Sequence, residues 1–241
     1  HAHCDLDPDD SRICRYTPKQ LIFSASTLGY EILAVTCHNL DIWTERLAEY
    51  AGGLGITLIP GMEVTAEKTR HVLVYNFHTC PENLNTLKKI RARSGKDTLV
   101  IAPHAFFPDR SCLRGLLPKN LDVFDAIEYS GFQVRGLNFN RRSARLARET
   151  GKPLVGSNDI HFLWQLGRTY TWVYSKPDVQ SVLSAIKQGF VRIEVSPLSW
   201  FEAATWWATT TWRRAVPAGT PPLNKIKNGR SFGTAQESVK P

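Results

Sequence analysis

The chain opens on His1-Ala2-His3, and a second pair with the same spacing, Asp159-Ile160-His161, lies far downstream. Side chains alternate faces along a strand, so residues i and i+2 point the same way and each pair offers two ligand atoms to one space. Between the pairs, His38 follows the apolar run "ILAVTC", Glu63 follows "LIPGM", His71 opens "HVLVYNF" and His104 closes "TLVIAPH". Six of the seven histidines, with two acids, thus stand at the ends of apolar runs. The seventh, His78 in "FHTCPEN", has no such partner and reads as an ordinary surface residue. Neutral imidazoles and carboxylates are the donors that zinc, manganese and iron ions take. The chemistry implied is a centre of several divalent ions.

Such residues must be brought together by the elements that carry them. Short β-branched runs at 31–37, 56–61, 71–77, 98–104, 125–130, 153–158 and 169–175 read as strands, several of them apolar enough to be buried on both faces. Helical patterns alternate with them. Thr17 and Pro18 mark one helix start, while Gly151 and Gly189 mark two helix ends. Alternation of this kind predicts a parallel sheet or barrel, whose strand carboxyl ends meet at one face.

Composition sets the limits. The hydrophobic fraction of 42% in 241 residues allows one sizeable core. No apolar run is long enough to span a membrane, and no secretory leader is recognisable. The five cysteines include no Cys-x-x-Cys pair, so a reducing, cytoplasmic setting fits better than a disulfide scaffold. Of the net charge of +8, residues 213–241 carry +5, from six basic residues against Glu237. The body is close to balanced, which favours a small substrate over a long nucleic acid. Residues 198–214 hold four tryptophans, and the basic stretch that follows is expected to be disordered, with weak contact to anionic lipid or nucleic acid as its possible role. Docking of the tryptophan helix on the body is the favoured reading.

The ordered set "HAH", "AVTCHN", "LIPGMEVT", "HVLVYNF", "VIAPHAFF", "DAIEYS" and "GSNDIHFLWQLGRTYT" resembles the PHP (polymerase and histidinol phosphatase) superfamily over roughly residues 1–200. The resemblance implies an α/β fold, a distorted seven-stranded β/α barrel of TIM-like type, over residues 1–197, with 198–241 as an appendage. It also implies two or three divalent ions (zinc, manganese or iron) and hydrolysis of phosphoesters. Carried over by position, His1, His3, Glu63 and Asp159 would hold one ion. Glu63 would bridge to a second, held with His71 and His104. A third would sit with His38, His161 and an acid from "DPDD", Asp10 being preferred to Asp9. Where the family commonly reads Thr-Asp-His, this chain has Thr36-Cys37-His38.

The expected function is therefore metal-dependent hydrolysis of a phosphorylated small molecule or nucleotide. Glu63 and Asp159 would hold the ions, and His161 or His104 would pass a proton to the leaving group. Arg135, Arg141 and Arg168 are the candidate phosphate-binding cations, because the planar guanidinium matches phosphate oxygens. The alternatives are a catalytically silent metal-binding or regulatory PHP domain, a PHP exonuclease and a phosphotyrosine or histidinol-phosphate phosphatase.

Overall fold

Thr17 Oγ1 accepts a hydrogen bond from the Gln20 amide, the Gln20 side-chain oxygen accepts one from the Thr17 amide, and Pro18 fixes the first turn, so helix α1 (Pro18–Thr27) starts there. The computed structural model describes residues 1–216; the tail from residue 217, including the expected disorder, lies outside the described residues. After α1 come β1 (Ile32–Ala34), α2 (Glu45–Gly52), β2 (Thr57–Ile59), β3 (Gly61–Ala66), β4 (Arg70–Tyr75), α3 (Leu87–Arg93) and β5 (Leu99–Ala102). Then follow β6 (Ala126–Ser130), α4 (Arg141–Thr150), β7 (Leu154–Ser157), β8 (Thr169–Val173), α5 (Val179–Lys187), β9 (Val191–Val195) and α6 (Trp200–Ala215).

The strands do not form the all-parallel sheet that their alternation with helices predicts. Five of them run in the order β3-β4-β5-β6-β7, with β1-β2 and β8-β9 as separate pairs. β3 and β4 are antiparallel, in register from Gly61↔Tyr75 to Ala66↔Arg70. The reason is length: only residues 67–69 join them, and a parallel crossover needs about a dozen residues. Glu67 and Lys68 supply the positive-φ turn. β4 and β5 are also antiparallel, whereas β5-β6-β7 are parallel. No continuous ladder closes these sheets into a seven-stranded barrel among the described residues.

Isolated bridges link the sheets at one end. The His3 amide donates to the Ile160 carbonyl (3.0 Å), the Ile160 amide to the His1 carbonyl (3.2 Å), and the Thr36 amide to the Ala2 carbonyl (2.7 Å). The opening tripeptide therefore lies between the segments that run on from β1 and β7. A further parallel bridge joins His38 to Glu63. These few backbone contacts place the two histidine-bearing pairs and Glu63 at one end of the sheets.

Three apolar clusters support that end. Met62, Val64, Val72, Val74, Ile90, Val100, Phe124 and Ile127 pack on one face of the main sheet. Leu73, Leu99, Ile101, Val155, Leu183 and Ile186 fill the other side with α5. Leu21, Ile22, Leu33, Ile56 and Ile160 pack with Cys4 and Cys37 around α1 and α2. Gly151, at φ +69°, ends α4 as its sequence predicts. α6 begins with a Ser199–Glu202 capping box, and Glu202 also pairs with Arg168. Its inner face packs on the body, Trp206 lying 4.6 Å from the Phe132 ring, while Trp200, Phe201 and Trp207 face outward. No helix among the described residues is long and apolar enough to cross a membrane.

Candidate metal centre

Glu63 sits at the middle of the cluster and is almost wholly buried. Its Oε1 lies 2.8 Å from His71 Nδ1 and 3.2 Å from His104 Nε2. Its Oε2 lies 3.1 Å from His1 Nε2, 3.4 Å from His3 Nε2 and 3.3 Å from His38 Nε2. One carboxylate thus stands between two sets of imidazoles. On the second side Asp159 completes the set, with Oδ1 3.0 Å from His3 Nε2 and 3.3 Å from His1 Nε2. Asp159 has φ +52° and His104 φ +29°, conformations rare for residues with a Cβ. Both fall just beyond strand ends, where the tight turn aims the side chain inward.

Ligand atoms of three groups lie within 4.8 Å of one another: His1, His3, Glu63 and Asp159; His3, Asp7 and His38; and His38, Glu63 and His71. The donor chemistry suits borderline divalent ions, with three or four N and O donors per group. His104 borders the third group through Glu63. His161 lies at the edge, its Nε2 2.9 Å from Asp10 Oδ2. Asp10 is 3.9 Å from His38 Nδ1, whereas Asp7 approaches the same nitrogen to 3.1 Å. Nine residues singled out from the sequence as ligands are therefore brought together. His78 is exposed, outside the cluster, and bonds to Asn76.

Two further acids were not singled out from the sequence. Asp7 Oδ2 is 2.7 Å from His3 Nδ1, and its oxygens also meet the His38 ring and amide. Glu128 Oε1 is 2.8 Å from His1 Nδ1, while Oε2 accepts from the His104 amide and Ser157 donates to Oε1. Each holds one ring nitrogen so that Nε2 faces the cluster, a common support for metal-bound histidine. Glu128 carries a readable signal, being the charged residue inside an apolar strand.

Charge explains how such a cluster persists. Burial alone would pull His38 down, but the hydrogen bond it donates to Asp7 and the charges of Glu63, Asp7 and Asp10 outweigh it and raise its pKa to about 9. His1 is raised against its burial by Asp159, Glu63 and Glu128, and His161 by Asp159 and Asp10. Burial likewise opposes ionisation of Glu63 and Asp159, yet the His1 charge, with His71 or His161, holds both well below the usual carboxylate range. Five buried or half-buried acids in one space demand cations, and without metal the imidazoles must supply them.

Cys37 does not enter the ligand set. It is fully buried, its Sγ 3.4 Å from Cys4 Sγ, and that contact together with burial holds it as the thiol. The arginines predicted to bind phosphate separate. Arg168 pairs with Glu202 of α6. Arg135 and Arg141 are exposed, and neither makes an ion pair or side-chain hydrogen bond among the described residues. Two arginines missed by the sequence reading approach instead. Arg214 Nη2 lies 3.2 Å from Asp10 Oδ1, and Arg213 donates to the Ile13 carbonyl.

The fold and the cluster define an α/β protein with three groups of side chains that could hold metal ions. Residues 138–191 match the PHP-associated family. In structure the chain is similar to PsfC from Pseudomonas syringae, with a TM-score of 0.54 and 18% identity over 82% of this chain and 88% of that one. It is also similar to a proposed metal-dependent phosphoesterase from Bifidobacterium adolescentis, with a TM-score of 0.52 and 16% identity over 67% of this chain and 86% of that one. At such identities the likeness speaks for the fold. No curated protein matches the sequence.

Proposed function

We propose that the protein is a metal-dependent phosphoesterase acting on a phosphorylated small molecule or nucleotide. The observation that carries this reading is the split coordination of Glu63, with Oε1 toward His71 and His104 and Oε2 toward His1, His3 and His38. A carboxylate so placed is suited to bridge two ions. Residues 1–197 are the catalytic unit in this account, with 198–241 as an appendage. The isolated bridges that join the sheets at the cluster support a distorted barrel.

Divalent ions held by these residues would lower the pKa of bound water toward neutrality and offset the charge of phosphoryl oxygens. Glu63 and Asp159 would hold them in place. Glu128 and Asp7 hold His1 and His3 by Nδ1, which leaves Nε2 as the inward donor atom. His161 donates Nδ1–H to the Asp159 carbonyl at 2.9 Å, and its Nε2 meets Asp10 Oδ2 at 2.9 Å. That nitrogen either binds an ion or exchanges a proton with the leaving group, and it serves one role at a time. Cys37 gives no ground for a silent domain, since the ligand groups are complete without it.

The test is hydrolysis of a generic aryl phosphate by chelator-treated chain, with and without added manganese or zinc. Turnover that depends on metal and is lost in Glu63→Gln supports the proposal. Absence of turnover with saturating metal over panels of sugar phosphates and nucleotides would sink it.

A further inference from the structure

α6 crosses the His161–Asp10 end of the cluster, and its inner face is rich in hydrogen-bond donors. Trp206, Thr210 and Arg213 fall at i, i+4 and i+7, so they share one side of the helix. Trp206 packs edge-on to His161 with ring centroids 6.1 Å apart, and the Arg213 guanidinium lies 4.8 Å over the Phe162 ring. Trp206 Nε1, Thr210 Oγ1 and Arg213 Nε are buried and find no hydrogen-bond partner among the described residues. Groups of this kind are costly to bury unpaired. One turn further, Arg214 spends one donor on Asp10 Oδ1 at 3.2 Å, while its side chain is 64% exposed.

We propose that this face of α6 is the anion subsite of the centre, with Arg214 contacting a phosphoryl oxygen and the buried donors around Thr210 lining the subsite behind it. The assignment rests on the phosphoesterase reading for its substrate class. Arg214 suits the role for three reasons. It is the arginine, among the described residues, that touches an acid of the cluster. Asp10 presents its other oxygen to His161 Nε2 at 2.9 Å, so the guanidinium stands one carboxylate away from the ligand atoms. Its five donors match a phosphate bidentately after one is given to Asp10. α6 is itself held in place by the Arg168–Glu202 pair and the Ser199 cap, so the donors are carried on a fixed element.

The experiment is calorimetric titration of the full, manganese-saturated chain with inorganic phosphate, comparing wild type, Arg214→Met, Arg214→Lys and Thr210→Val. Manganese bound per chain and KM for an aryl phosphate are measured on the same samples. The expected result is a loss of phosphate affinity of on the order of tenfold or more in Arg214→Met. Arg214→Lys should fall between, Thr210→Val should lose less, KM should rise in parallel with the affinity loss, and manganese content should stay unchanged. Unaltered phosphate affinity in Arg214→Met overturns the proposal, as does a wild type that binds no phosphate. A fall in manganese content in Arg214→Met also overturns it, by making Arg214 a support for Asp10. Phosphate binding that depends on Arg214 without hydrolysis of any ester would leave the subsite standing and remove the phosphoesterase reading.

Discussion

His1 Nδ1 lies 2.8 Å from Glu128 Oε1, although 127 positions separate the two residues in the chain. The contact decides which ring nitrogen faces the metal-binding space, because a donor at Nδ1 leaves the lone pair on Nε2. Glu128 also accepts the His104 amide, so one buried acid orients a ligand from the opening tripeptide and the backbone of a second.

Glu128→Gln should weaken binding of one ion by about 10–100-fold, because the amide nitrogen must face a donor at one of these contacts. Competition with a chromophoric chelator measures this. Unchanged affinity would mean that Glu128 has no part in orienting the ligands.

The metal-free protein should have a narrow range of greatest stability. His38, His1, His104 and His161 have raised folded-state pKa values, so their stabilisation is complete below the unfolded value near 6.5 and lost as pH rises through the folded value, about 9 for His38. Glu63 and Asp159 are lowered, so their contribution holds above about pH 4.5 and falls away in acid. Thermal melts of chelated protein should peak between about pH 4.5 and 6.5, and metal affinity should climb toward pH 9 as protons leave. A melt profile that keeps rising to pH 9 without metal would contradict this.

Cys37→Asp places a carboxylate at a site that has no solvent exposure and a sulfur neighbour. Burying that carboxylate should cost roughly 2–4 kcal/mol, lowering Tm by about 5–10 °C. Cys37→Ser should cost less. Equal melting of the aspartate variant and wild type would show that a cation already serves position 37.

Gly131→Ala tests the support of the Asp159–His161 turn. A Cβ at Gly131 would stand 2.0 Å from Asn158 Oδ1. Asn158 accepts from the Thr169 amide and donates to the Gln165 carbonyl, while Gln165 accepts from the amides of His161 and Phe162. The substitution should cost about 1–3 kcal/mol and loosen metal binding together. Loss of stability with metal affinity intact would uncouple this network from the site.

Much of this was legible in the sequence because spacing alone carries it. His-x-His and Asp-x-His announce themselves, and the apolar runs that end in His38, Glu63 and His104 mark buried strands whose ends converge. The helices marked by Thr17–Pro18, Gly151 and Gly189, the tryptophan helix and all seven predicted strands occur, the strands with shorter bounds. β3 was not expected, because the reading ended its second strand at Gly61, and the hairpin to β4 was overlooked despite its three-residue link. Asp7 was hidden among neighbouring acids of equal chemistry, where only folded geometry shows which one meets His3. Arg214 lies 204 positions from Asp10, and nothing local to "TWRRA" foretells that contact.

The central claim is that Glu63 bridges a multinuclear metal centre. Metal content per chain, by elemental mass spectrometry on protein purified without chelator, tests it most directly, with wild type and Glu63→Gln side by side. The account requires two or three divalent ions in the wild type and at most one in the variant, with both chains folded by circular dichroism. Wild-type protein that holds no metal after incubation with zinc or manganese, or a Glu63→Gln variant that keeps every ion, would contradict it.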